Sequence, residues 1–136
     1  MKKAIIALSL VFIFGGCKKT IDKLKENAVI SAMTDGQWVI TNFVKNGAVI
    51  TPDFSTYKFQ YYSNKTVDAI NNGVVEKTGT WDGDASAMTI TANFPNSGAT
   101  LTLINGSWHI DNNSWTFVVA SQNSNNETKT LRLEKL

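Results

Sequence analysis

The 136-residue chain is poor in cysteine, histidine and proline, with one, one and two, and its 13 Lys and Arg stand against 11 Asp and Glu. A lone Cys excludes an internal disulfide framework, and with a lone His it leaves no thiolate and imidazole cluster for a zinc site. An excess of one charge is missing too. With Lys2 and Lys3 set aside as part of a removable leader, 11 basic residues face 11 acidic ones, which excludes the basic footprint of a nucleic-acid binder. No glycine-rich loop is present to cradle a phosphate. The apolar run over residues 4–14 (AIIALSLVFIF) is eleven residues long, about half of the ~20 a spanning helix needs. The length suits one small domain.

What is present begins with an address. Lys2 and Lys3 precede the apolar run, and small residues follow it in Phe14-Gly15-Gly16-Cys17, the pattern of a cleaved signal peptide. Phe14 to Cys17 resembles the lipobox of bacterial lipoproteins, although Phe14 replaces the usual Leu. That resemblance implies lipidation of Cys17, which would become the acylated start of the mature chain. Two or more acyl chains, at ~0.8 kcal/mol per buried methylene, give a stable anchor. Lys18 and Lys19 follow where an Asp would resemble an inner-membrane retention signal. By resemblance to lipoproteins alone, the expected location is the outer membrane, anchored on its periplasmic side, with surface exposure left open. The expected divisions are a signal peptide over 1–16, a tether over 17–20, a short helix over 21–34 and one β domain over 35–136.

Thr20 can cap a helix over Ile21 to Met33, with Asp22 in the first turn and Gly36 as a stop. Ile21, Leu24, Ala28 and Ala32 share a narrow face, so this helix is expected to lie against something larger. From Gln37 onward apolar residues alternate, with turn signals every eight to twelve positions, the signature of an all-β sandwich or barrel. Asn46-Gly47, Asn71-Asn72-Gly73, Asp82-Gly83-Asp84, Asn105-Gly106, Asn112-Asn113 and the tract Gln122 to Asn126 mark the turns. Pro52 breaks pairing. About ten short segments result, among them Ala99 to Ile104. Hairpins without long crossovers favour an up-and-down antiparallel meander, closed into a small barrel of eight to ten strands that leaves no exposed edge. A membrane-spanning barrel needs strands of ~9–11 residues and a polar interior, whereas most segments here read as five to eight residues with aromatics on one face.

At Asp35-Gly36-Gln37-Trp38 the helix gives way to the first strand through Gly-x-Trp, which resembles the first structural motif of the lipocalins. The resemblance implies that Trp38 packs at the closed end of a barrel beneath the N-terminal helix, with a late cation over its ring. Arg132 and Lys135 are the two candidates for that cation. Gly-x-Trp recurs at Gly79-Thr80-Trp81 and Gly106-Ser107-Trp108, and a glycine beside an indole also suits any barrel bend. The lipobox, helix, Gly-x-Trp, meander and terminal Leu-Arg-Leu-Glu-Lys together look like the lipocalin-like domains of small gram-negative lipoproteins.

Ser107, His109 and Asp111 alternate on one strand but do not make a hydrolase triad. At ~3.3 Å per residue successive members lie nearly 7 Å apart at Cα, on the face opposite Trp108 and Ile110. Asp82 and Asp84 lack the further carboxylates of a calcium loop. Asn64-Lys65-Thr66, Asn105-Gly106-Ser107, Asn112-Asn113-Ser114 and Asn126-Glu127-Thr128 are turns. No metal, cofactor or catalytic set is expected. Alternation places Trp38, Ile40, Tyr57, Phe59, Tyr61, Val67, Val75, Trp81, Met88, Ile90, Leu101, Leu103, Trp108, Ile110, Trp115, Phe117, Val119, Leu131 and Leu133 inside. A barrel of eight strands is just wide enough to be filled or to hold one small ligand. The expected function is that of a monomeric, membrane-anchored, non-enzymatic barrel binding a small apolar or amphipathic molecule. The interior candidates for contact are Trp38, Tyr57, Phe59, Tyr61, Trp81, Trp108, Trp115 and Phe117. The alternative is an interaction protein with a filled core, and a weaker third is carbohydrate binding through exposed Tyr62 and Phe94.

Overall fold

A computed structural model describes residues 27–136. The signal peptide, Cys17, the tether and the first part of the expected helix lie outside the described residues. The hairpins follow from local chemistry. Asn46 and Gly47 have φ of 50° and 81°, and Asn72 and Gly73 have 51° and 80°. Two consecutive positive φ values give the turn whose twist matches that of its strands, and Asn-Gly meets the requirement without a Cβ penalty at its second position.

A helix over residues 27–34 (α1) is followed by β1 (Trp38–Lys45) and β2 (Ala48–Val49). A 3-10 turn (Thr51–Phe54) then leads to β3 (Tyr57–Tyr61), β4 (Thr66–Asn71), β5 (Val74–Asp84) and β6 (Thr89–Asn93). A short helix α2 (Ala99–Thr102) precedes β7 (Gly106–Asn113), β8 (Phe117–Ser124) and β9 (Glu127–Lys135). All neighbours are antiparallel, and β1 pairs with β9, so β1 and β3 to β9 close an eight-stranded barrel with β2 as a ninth strand beside β1. The expected fold class is therefore the observed one.

The order of strands fixes two ends. The α1 end carries the start of β1, the β3–β4 turn, the β5–β6 hairpin, the β7–β8 turn and the last residues of β9. The α2 end carries the β1–β2 and β4–β5 hairpins, the 3-10 turn, α2 and the β8–β9 turn.

Apolar side chains alternate inward and polar ones outward, the reverse of a spanning barrel. This contrast, rather than strand length, separates the two, because β5 and β9 reach 11 and 9 residues. Phe43 stacks on Phe54 at 4.8 Å between centroids, Tyr57 on Phe59 at 6.1 Å, and Tyr61 meets Trp81 edge-on at 5.4 Å. Each such ring contributes ~1.5–3 kcal/mol on burial.

Several expected positions are corrected. Ala99 to Ile104 is not a strand. Strands β6 and β7 pair directly, so the closed sheet offers no edge, and the segment turns into α2 with buried Leu101 and Ile104 plugging the barrel end. Leu103, beside them, is only half-buried. Val75 is exposed because Ala69 pairs with Lys77 while Ile70 pairs with Val75, leaving Glu76 as an extra residue that reverses the strand's parity. Met88 lies outside β6 with φ of 54° and is exposed. In β8 the inward residues are Val118 and Ala120, not Phe117 and Val119, since Val118 faces buried Leu133. Trp115 sits in the β7–β8 turn and is 59% exposed. A further bulge at Thr41, between the pairs Ile40 with Leu133 and Asn42 with Arg132, turns Phe43 inward. Phe94 is buried, so it offers no surface for a sugar.

Candidate functional site

The three Gly-x-Trp motifs share one construction. The Trp38 indole N–H donates to the Met33 carbonyl at 2.9 Å, that of Trp81 to Tyr62 at 2.9 Å, and that of Trp108 to Ile104 at 2.7 Å. Each ring also lies under a lysine ammonium, at 5.3 Å for Lys135 and Trp38, 5.2 Å for Lys65 and Trp81, and 5.5 Å for Lys129 and Trp108. Every buried indole thus has its polar atom satisfied and its face matched to a cation. Between the two cations proposed for Trp38, Lys135 occupies the place. Arg132 points outward, 4.4 Å from the ring of Phe117.

These rings serve the packing of the interior. Of the eight interior candidates, Trp38, Tyr57, Phe59, Tyr61, Trp81 and Trp108 are buried together, Phe117 lies on the outer face and Trp115 at the rim. A void of about 20 Å³ lies among Tyr61, Ile90, Trp108, Val118, Leu131 and Leu133, room for about one water. Burial pushes the Tyr61 phenol well above its ordinary range. Tyr57 donates its hydroxyl proton to Glu76 Oε2 at 2.7 Å, and burial followed by this bond pushes its phenol up to about 12. The Glu76 carboxyl is held below its usual range by hydrogen bonds first from Asn71 and then from Tyr57.

Outside the barrel, a cleft of about 350 Å³ opens between α1 and the barrel rim. Ala28, Val29 and Ala32 of α1 form one wall, and Met88, Ile110 and Trp115 the other. Small residues let α1 stand close to the rim without filling the space. Val29 comes so near Gly83 that a Cβ there would meet its Cγ1 at 2.9 Å. Ala28 and Ala32 were legible as a shared helix face; the opposite wall was not, since Met88 and Trp115 read as interior residues. The cleft is mostly apolar, with Asn113 and Ser114 as polar groups at its edge, the composition of a small-ligand site. A second pocket, of about 210 Å³ at the α2 end, is polar and lined by Tyr57, Glu76, Lys77, Ser97 and Thr100.

The remaining polar clusters are local. His109 Nδ1 and Asp111 Oδ1 are 2.9 Å apart on the exposed face of β7, and the His109 bond holds the Asp111 carboxyl below its usual range. Asp82 pairs with Lys65 at 2.8 Å. Asp84 accepts the Ala87 N–H at 3.0 Å and closes the hairpin turn. Asn64 Oδ1 accepts from the Thr66 amide at 3.1 Å, a side-chain turn. Among the described residues no group of three or more His, Cys, Asp or Glu is placed to hold a metal ion.

No family model matches the chain, and no curated protein does. Among solved structures it is similar to a crystal structure, at 1.00 Å resolution, of a DUF4847 family protein from Bacteroides vulgatus ATCC 8482. The match has a TM-score of 0.56 and 14% identity, and covers 78% of this chain and 96% of that one. At that identity the likeness is one of fold.

Proposed function

We propose that the chain is a lipoprotein held in a gram-negative type envelope through Cys17, and that it carries a small apolar or amphipathic ligand in the cleft beside α1. The ligand is moved from the barrel centre, where the expectation placed it, to the rim. The observation that supports this is the pairing of a filled interior with an apolar cleft of about 350 Å³, which lies within the size range of small-molecule sites. The barrel then serves as a rigid frame that holds two walls apart. In this reading the protein is monomeric, sits on the periplasmic side of the outer membrane and catalyses nothing.

Native mass spectrometry of the full-length protein, purified without added lipid, tests the reading. A copurifying small-molecule mass is expected, and Ala32→Trp, which fills the cleft from the α1 wall, should remove it. A bound mass that survives Ala32→Trp would overturn the assignment of the site. The filled interior also favours a second reading, an interaction scaffold with no small ligand. Ligand-free protein from several preparations would select that reading.

A further inference from the structure

We propose that the α1 end of the barrel lies on the lipid bilayer, with Trp115 and Met88 entering the boundary between headgroups and acyl chains, so that the cleft beside α1 opens onto lipid. The inference rests on the reading of Cys17 as the anchor.

Two independent features point the same way. The first is the exposed apolar surface. Trp115 and Met88, 59% and 40% exposed, stand on neighbouring turns and flank one cleft. Tyr62 lies exposed on the β3–β4 turn of the same end. The other three tryptophans are buried. The α2 end also exposes apolar residues, Val49, Val74 and Val75, but these are aliphatic and carried on paired strands. A ring with an apolar body and a polar edge suits the membrane interface, and Trp and Tyr gather there.

The second feature is reach. Ten residue steps separate Cys17 from Asn27, a span of at most ~35 Å when fully extended. The barrel strands run from five to eleven residues, and the longest, about 36 Å along its own direction at ~3.3 Å per residue, spans only about 28 Å of barrel height at a tilt of about 40°. The link joins the protein at the α1 end. To bring the α2 end to the bilayer it would have to spend most of its length running down the flank of the barrel. A less extended path keeps the α1 end nearer the surface. Two ion pairs on this rim, Lys65 with Asp82 and Lys135 with Asp35, compensate their own charge, which leaves exposed Asp84, in the same hairpin as Met88, as a carboxylate to be kept in the headgroup layer.

The test uses the full chain with its lipid, reconstituted into phosphatidylcholine vesicles with brominated or ordinary acyl chains. Bromine quenches tryptophan at short range. Loss of the exposed-tryptophan emission in brominated vesicles is expected, and this loss should vanish in Trp115→Phe. A second variant, Trp115→Phe with Val75→Trp, places the reporter at the opposite end and should not be quenched. Lipidated protein whose Trp115 keeps its emission would overturn the docking while leaving the anchor standing. Quenching of the Val75→Trp reporter would overturn it by showing the opposite orientation. A blue shift of Trp115 without quenching would overturn it in favour of pairing with a second copy. Intact mass with unmodified Cys17 would remove the anchor, and the docking with it.

Discussion

Lys135 is the register partner of Trp38, and its Nζ stands 5.3 Å from the centroid of that fully buried indole. The same ammonium lies 3.5 Å from Asp35 Oδ2, so one side chain joins the last strand, the first strand and the residue after α1. Lys135→Met keeps the apolar stem and removes the charge. It should lower stability by ~0.5–2 kcal/mol in a denaturant titration. Arg132→Met, on the outer face, should leave the fluorescence of Trp38 unchanged.

Lys129 is the buried charged residue among those described, and its Nζ donates to the Leu103 carbonyl at 2.9 Å. It therefore ties β9 to the segment that follows α2. Lys129→Met should leave that carbonyl without its donor, at a cost of ~1–3 kcal/mol. Hydrogen exchange should show faster opening of residues 94–105 than of β3 or β4.

Glycines here differ in what a methyl group would meet. At Gly79 a Cβ would run into the Asn93 backbone carbonyl and come within 2.8 Å of Phe94 Cδ1. Backbone of a paired strand cannot yield cheaply, so Gly79→Ala should cost ~1–3 kcal/mol or more. At Gly98, with φ of −68° and ψ of 175°, nothing lies within 4 Å. Gly98→Ala should gain ~0.4–1 kcal/mol by restricting the unfolded chain. Thermal melts of both variants provide the check.

Tyr57 gives the fold an alkaline limit. Its phenol ionises at 10.0 when unperturbed and at about 12 in the folded protein. Between those values the unfolded chain has released the proton while the folded one still holds it, so stability must fall as pH rises. Below pH 10 the contribution is fully present, and it is lost by about 12. Tyr61, raised in the same direction, adds to the slope. Tyr57→Phe should flatten the fall in melting temperature over that window, and an unchanged slope would contradict the assignment.

The barrel was legible because its turns are written in Asn and Gly and its strands in alternation. Parity was not, wherever both faces of a strand are apolar or a bulge intervenes. Phe117-Val118-Val119-Ala120 offers no polar residue to mark the outer side, and the aromatic ring suggested the wrong one. Its cover is the guanidinium of Arg132, a contact made across strands. Glu76 and Thr41 are ordinary strand residues in sequence, yet each is the extra residue that reverses alternation. Ala99 to Ile104 alternates like a strand, but Leu101 and Ile104 also stand three apart, the spacing of a helix face. Only the closure of the sheet decides between them. The cleft was half visible for a related reason: Ala28 and Ala32 share a face by spacing alone, while its other wall is assembled from two turns distant in sequence.

Because β1 finds its partner in β9, with Trp38 opposite Lys135 and the Leu136 amide donating to the Gln37 carbonyl at 2.9 Å, the cylinder has a seam. Nothing upstream can complete it. A chain that emerges from its amino end must wait for β9 before the first strand is paired on both sides, so closure of the barrel comes last. The same proximity makes the seam movable: a short peptide joining residues 37 and 136, with new ends opened at the Asn72-Gly73 turn, would preserve every strand pair while relocating the last one to zip.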